Sequence, residues 1–421
     1  MTDSPNLIRV TPGELASIIR KHEMFLEARM GGARAILAQH DLTGASLAGT
    51  DFSHADFSGA VLYQADLRDA RLDYSVLFSA DLRLANLQNA SLVRADMRGA
   101  CLRGTTLINA DMTGVDLREG SIAGKDGRVR TFGRAATLSE SAGADLSGAN
   151  LSLARLSGAV AINGDFSDTT MRGCKIVRAS LQGANFEGAN LENADISMCD
   201  MREANFRDAI LVNVTTSLAN LADANLTGAI TDKPMGPTLK DLPVPVNEML
   251  RRHEVWIDTE GKKGARFDVG GYDLRHATSL ARRHLTMMRA QDAILYGMDF
   301  SDAQLQVADF RGADVRHANF MSADMRGSNF RGARLNNAKL QGAQLNPLIL
   351  TSGGALVTDF SGASLKYANL SGANLRDINF RDADLTSANL LGCDMAGADL
   401  AGAKTQGTRL NPGQQEELKS K

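Results

Sequence analysis

Ala65-Asp-Leu-Arg-Asp-Ala-Arg-Leu-Asp-Tyr-Ser75 places two apolar residues, Leu67 and Leu72, five positions apart, each preceded two places earlier by Ala65 or Ala70. The pattern extends outward as Leu42, Leu47, Phe52, Phe57, Leu62, Leu77 and Leu82 and continues to Ile122, with small residues at Ala45, Ala55, Ala60, Ala80, Ala85, Ala90, Ala95 and Ala100. A period of five is not helical, because each apolar residue would be rotated by about 140° from the last and no stripe would form. Residues two apart do share one face of an extended segment, and the polar, often Gly-containing pair that follows can turn the chain. Each pentapeptide is therefore one short extended side and a corner.

Bulky residues set the number of sides per turn. Phe166, Phe186 and Phe206 are spaced 20 apart, and Phe300, Phe320, Phe360 and Phe380 fall on a 20-residue lattice, as do Phe310 and Phe330. A Phe inside a narrow coil is best accommodated over another Phe, so four pentapeptides make one coil.

These features resemble the pentapeptide-repeat family, whose A-D/N-L/F-x-x word recurs in Ala65–Ser75 and in SGANLRDINFRDADL from Ser371. The resemblance implies an all-β solenoid, a right-handed quadrilateral β-helix with the Leu/Phe and small-residue columns inside. Stacked coils should lie about 4.8 Å apart, the ordinary strand spacing.

The register holds from Leu42 to Ile122, fails over 123–143, resumes on a shifted lattice from Leu146 to Thr231, and returns from Leu280 to Leu410. Residues 232–246, DKPMGPTLKDLPVPV, hold four of the eight prolines and read as a linker. After it the N-terminus is repeated: Ile19–Leu26 aligns with Leu250–Ile257, and Gly32-Ala-Arg34 with Gly264-Ala-Arg266. Both copies read as helices. Thr11-Pro12-Gly13-Glu14 is a capping box, and the second copy begins at Asn247 and stops near Gly261. A solenoid exposes the apolar end of its first coil unless something covers it, so each helix is expected to be a lid. The expected organisation is a cap (1–33), a β-helix (34–231) interrupted at 123–143, the linker (232–246), a second cap (247–266), a second β-helix (267–410) and a tail (411–421).

Composition narrows the function. The 421 residues are 43% hydrophobic but only 5% aromatic, and 46 Lys+Arg nearly balance 49 Asp+Glu. Neither a basic nucleic-acid coat nor a strongly acidic protein is indicated, and interleaved aromatics on a basic stripe are absent. No stretch approaches the roughly 18 apolar residues of a membrane helix, and MTDSPNLIRV has no signal-peptide character, so no membrane association and a cytoplasmic location are expected. Cys101, Cys174, Cys199 and Cys393 form no CxxC pair, and no phosphate loop, nucleophile elbow or metal-ligand cluster occurs; no catalytic, cofactor or metal residues are assigned. Cys174, Cys199 and Cys393 take the small inner position and are expected to be buried. His22 and His253 adjoin Glu23 and Glu254, but neighbours on a helix point to different sides, so packing is their expected role.

The insertion GKDGRVRTFGRAATLSESAG, 124–143, carries Lys125, Arg128, Arg130, Phe132 and Arg134 and a net charge of +2. A basic loop with an aromatic on a rigid rod is suited to an acidic protein patch or to nucleic acid. In topoisomerase-binding members of the family, loops that break the coil take part in binding, which the resemblance extends to this segment. A second family theme is mimicry of DNA by an acidic rod. The first two repeat blocks are mildly acidic, at −3 and −4, and the third is +2. The expected function is a non-enzymatic protein-interaction scaffold with an unidentified protein partner; the alternative is a DNA-mimic modulator of a type II topoisomerase (gyrase), acting through the first solenoid and the loop.

Overall fold

The computed structural model describes residues 7–118, 120–123, 129–132, 145–275, 277, 279–411 and 413–414. The chain forms two compact units, Met1–Asp232 and Lys233–Lys421. In the first, strand β1 (Ile8–Arg9) precedes helix α1 (Pro12–Leu26) and pairs in parallel with β2 (His40–Asp41). The expected capping box is present: Thr11 Oγ1 accepts the Glu14 N–H, and the Glu14 carboxylate accepts the Thr11 N–H at 2.8 Å.

From Ile36 onward each pentapeptide contributes one parallel bridge rather than a longer strand. The bridging residue is the outward one between the small residue and Leu or Phe: Asp41 pairs with Val61, Val61 with Asp81 and Asp81 with Cys101. Only two or three residues are extended before the next corner, which leaves room for a single pair. Four bridge columns run along each unit, five residues to a side. Corners sit in the left-handed region, as at Asp69 (φ 57°) and Asn89 (φ 58°), which explains the recurring Gly, Asn and Asp. The inward columns are dry; Leu62, Leu67, Ala70, Leu72 and Leu82 are fully buried.

The repeat is offset from its sequence reading at several places. The first block begins one unit earlier, at the buried Leu37, and leaves the coil after Leu117. Ile122 does not continue the parallel bridging of the coil; it lies in β3 (Gly120–Ala123), which pairs antiparallel with β4 (Val129–Phe132), Ile122 opposite Arg130. The coil rejoins at Asp145, the partner of Thr106. Asn150 Nδ2 donates to Asp111 Oδ1 across 39 positions where 20 is regular.

The second unit opens with Thr238, which bridges to Asp273, and a short 3-10 turn, Leu239–Asp241, inside the segment read as a linker. Helix α2 runs Val246–Asp258, starting before Asn247, with no side-chain cap at Pro245. Val269 and Leu274 are buried ahead of Leu280. Asp268 pairs with Arg289 and Asp273 with Ile294, one residue beyond the regular step, which takes them off the lattice of five.

A second excursion has no counterpart in the sequence reading. Asn329 pairs with Asp359, and between them β5 (Leu348–Ile349) and β6 (Ala355–Leu356) form a small antiparallel hairpin over the corner at Gly327. Leu350 and Ala355, inner positions by count, are exposed. Ten extra residues are two repeats, so the count passed through them undisturbed. The Phe lattice is corrected accordingly: Phe330, not Phe320, stacks on Phe360, with centroids 4.8 Å apart. The aromatic column is Phe310, Phe330, Phe360, Phe380, beside the pair Phe300 and Phe320.

Because that excursion leaves and returns at one corner, deleting 347–356 together with Val357→Gly should restore a regular pentapeptide, Gln344-Leu345-Asn346-Gly-Thr358. Gly supplies the positive φ that a β-branched residue resists. The expected change in stability is within about 1 kcal/mol by denaturant titration.

Candidate interaction surface

The hairpin β3–β4 replaces one side of a coil in the first unit. Its base is fixed from both flanks: Asp116 pairs by backbone with Arg155 beyond the excursion, and Arg118 Nη2 lies 2.6 Å from Asp116 Oδ2. Of the five residues expected to carry binding, Arg130 and Phe132 lie in β4. Lys125, Arg128 and Arg134 fall outside the described residues, so the five are not assembled by the described geometry.

On the coils that precede the hairpin, the outward corner columns stack aromatics with guanidinium groups. Arg98 lies 5.5 Å over the ring of Phe78, Arg83 5.6 Å over Tyr63, and Arg94 6.0 Å over Tyr74, whose other face stacks on His54 at 5.2 Å. Each contact is worth about 0.5–1 kcal/mol when exposed, enough to hold side chains in place at three of the four corners of the coil. Sequence reading missed these residues, although the signal existed: each Arg follows its aromatic by 20, one coil.

Many surface carboxylates are neutralised where they stand. Asp66, Asp81, Asp96, Asp116 and Asp200 each pair with the Arg two residues on, at 2.6 or 2.7 Å. Hydrogen bonding from Arg68 and Arg202 holds the carboxyls of Asp66 and Asp200 below the usual carboxylate range. Exposed at Asp66 and Asp200 and half-buried at Asp81, Asp96 and Asp116, such pairs at the solvent boundary add little stability, but they flatten the field outside the rod.

The inner cysteines are unsuited to chemistry. Cys174, Cys199 and Cys393 are buried, and their thiols donate to the carbonyls of Leu151, Ile176 and Leu370. Burial pushes the Cys174 thiol up to about 12 and Cys393 up to about 11; thiolate is then scarce near neutrality. Among the described residues, no group of three or more His, Cys, Asp or Glu is placed to hold a metal ion, and no helix is long and apolar enough to cross a membrane.

The caps converge on one histidine each. His22 and His253 are fully buried, and Nδ1 of each accepts a backbone N–H, from Ala35 at 3.1 Å and Phe267 at 3.0 Å. Burial lowers the pKa of both, that of His253 to about 4.

The bridges at a step of five and the inward Leu, Phe and Ala columns correspond to a family described as Pentapeptide repeats, whose sequence pattern matches residues 35–73, 80–118, 142–176, 177–208, 199–230, 289–320, 316–346, 358–382 and 378–411. The chain belongs to the pentapeptide-repeat family. Its fold is the right-handed β-helix solenoid of that family.

No curated protein matches the chain. Similar solved structures include HetL, a pentapeptide repeat protein involved in heterocyst differentiation regulation from Nostoc sp. strain PCC 7120, at 20% identity over 94% of this chain and 96% of that one, with a TM-score of 0.18. QnrB1, a plasmid-mediated fluoroquinolone resistance protein, matches at 17% over 63% of this chain and 95% of its own, with a TM-score of 0.25. A pentapeptide repeat protein from the Arabidopsis thaliana thylakoid lumen matches at 28% over 30% and 75%, with a TM-score of 0.14.

Proposed function

We propose that this pentapeptide-repeat protein is a non-enzymatic, cytoplasmic scaffold of two four-sided solenoids, each closed at its N-terminal end by a helix, that binds a protein partner at the β3–β4 hairpin and the coil corners flanking it. The observation that supports this reading most is the pair of aromatic–guanidinium stacks Phe78–Arg98 and Tyr63–Arg83, which lie at the two corners flanking the column Val61–Asp81–Cys101 whose next side the hairpin replaces. Aromatic and Arg side chains supply most of the binding energy at protein interfaces, and here they are already ordered, which reduces the entropy lost on association.

Modulation of a type II topoisomerase by DNA mimicry is the weaker reading. A surrogate for DNA needs a dense negative field, and the Asp–Arg pairs of the first unit weaken it.

The test is affinity capture from lysate of the native host with the intact chain beside a variant in which Lys125, Arg128, Arg130 and Arg134 are all replaced by Glu. The expected result is a specific protein retained by the intact chain and lost by the variant, with the melting temperature unchanged. Equal retention by both would remove the hairpin from the interface. A type II topoisomerase lost on charge reversal would promote the second reading.

A further inference from the structure

Each helical cap is held over the first coil of its own unit by a histidine in one protonation state. In the first unit the His22 ring stacks on Phe25 and Phe52, with centroids 5.8 and 6.1 Å away. In the second, His253 stacks on Trp256 at 5.7 Å and tilts against Phe267. Nδ1 accepts a backbone N–H in both, so the neutral ring carries its proton on Nε2. Both Nε2 atoms are buried and make no well-formed hydrogen bond, each having only a backbone carbonyl nearby, that of Ser53 or Thr286. A second proton would sit on Nδ1 and face the N–H of Ala35 or Phe267 across about 3 Å, turning a hydrogen bond into a donor–donor repulsion inside an apolar seat.

We propose that His22 and His253 are acid-released latches: neutral, they hold α1 and α2 on the first coils; protonated, they release the helices and bare the apolar ends of the solenoids. The arrangement occurs twice in a duplicated chain, with equivalent acceptor atoms and equivalent donors.

The surroundings differ in one respect. Asp51 on the first coil favours the charged form of His22, while Arg34 and His54 oppose it, and the Ser53 carbonyl faces the ring. At His253 the Thr286 carbonyl is matched, but Arg266 and His284 both oppose the charge, and no acid among the named neighbours counters them. The first latch therefore opens at the higher pH. The sign follows from linkage: docked, each histidine binds its proton more weakly than the free side chain, so cap docking is complete above about 6.5 and is lost as pH falls toward the docked value. Carboxyls such as Asp66 and Asp200, held below their usual range by Arg, remain charged through most of that window.

Trp256 is the only tryptophan in the chain and lies on His253, with Arg266 stacked 4.8 Å over the same ring. Its fluorescence reports the second cap. In the full chain, titrated from pH 7.5 to 3.5 with amide exchange measured alongside, residues 12–26 should lose protection first and 246–258 next, the Trp signal moving with the latter, while coil amides stay protected. His253→Gln keeps a carbonyl acceptor but does not titrate, and should move the Trp256 transition at least one pH unit lower. His22→Gln should do the same for α1 and leave the Trp signal unchanged. Caps and coils opening together at one pH in wild type and both variants would overturn the latch, as would caps protected at pH 3.5. Carbon-13 labelling of the histidines gives a check independent of the variants: a midpoint near 6.5 with the caps still protected would also overturn it.

Discussion

Phe330→Ala is expected to destabilise the second unit by about 3–5 kcal/mol and to leave the first unit unchanged. Phe330 is fully buried and stacks on Phe310 at 4.6 Å and Phe360 at 4.8 Å, while Phe320 meets it edge-on at 5.8 Å. Removing the ring leaves a void spanning a coil step, and the coils cannot close on it, because their spacing is fixed by backbone hydrogen bonds such as Phe330 N–H to the Asp359 carbonyl at 2.7 Å. The loss also spreads along the stack, since each coil contacts only its neighbours. Denaturant unfolding followed by amide exchange, which resolves the two units, checks this. A loss below about 1 kcal/mol, or an equal loss in the first unit, would mean that the column does not carry the core. Phe330→Leu, which keeps most of the volume, should lose about 1–2 kcal/mol.

Gly264→Ala should release α2 from its unit at neutral pH. Gly264 has φ +78°, and a Cβ there would meet the Arg252 carbonyl oxygen at 2.2 Å and the Trp256 nitrogen at 2.7 Å, both backbone atoms that cannot move aside. The helix would have to shift away from the strap that follows it. That breaks the seat of His253, which accepts its hydrogen bond three residues further along, from Phe267. The expected loss is about 2–4 kcal/mol, confined to the cap, because a left-handed backbone and a steric clash act together. Trp256 fluorescence at pH 7.5 should resemble that of the wild type at acid pH. Wild-type fluorescence and unchanged exchange over 246–258 would show that the cap accommodates the methyl group. Gly32, its counterpart in the first cap, is equally confined: a Cβ would lie 2.4 Å from the Phe25 nitrogen.

Reading by period found the coil because the inward columns repeat without regard to surface sequence; Leu62, Leu67 and Leu72 need only be apolar and five apart. The capping box at Thr11 and Glu14 was equally legible, since both partners are local. What escaped depends on phase. Val269 and Leu274 were lost because one extra residue follows them, and the excursion at 347–356 was lost for the opposite reason, its length being a multiple of the repeat. Phe330 and Phe360 could not be matched until that detour was known. The surface stacks were hidden differently: Tyr74 and Arg94 are neighbours only once the coil is closed, and nothing in either residue's own pentapeptide marks it. The β3–β4 hairpin was expected as an insertion, but its antiparallel pairing was not, because Gly120 to Ile122 still kept the rhythm of the coil.

The two excursions have different lengths, 39 positions between Asp111 and Asn150 where 20 is regular, and ten surplus residues before Asp359. In both the coils beyond pick up their partners again. Height along the rod is therefore metered by coils completed rather than by residues spent, so corners behave as graduations on a ruler. A foreign peptide grafted at successive corners of one column should be displayed at elevations differing by about 4.8 Å, whatever its own length.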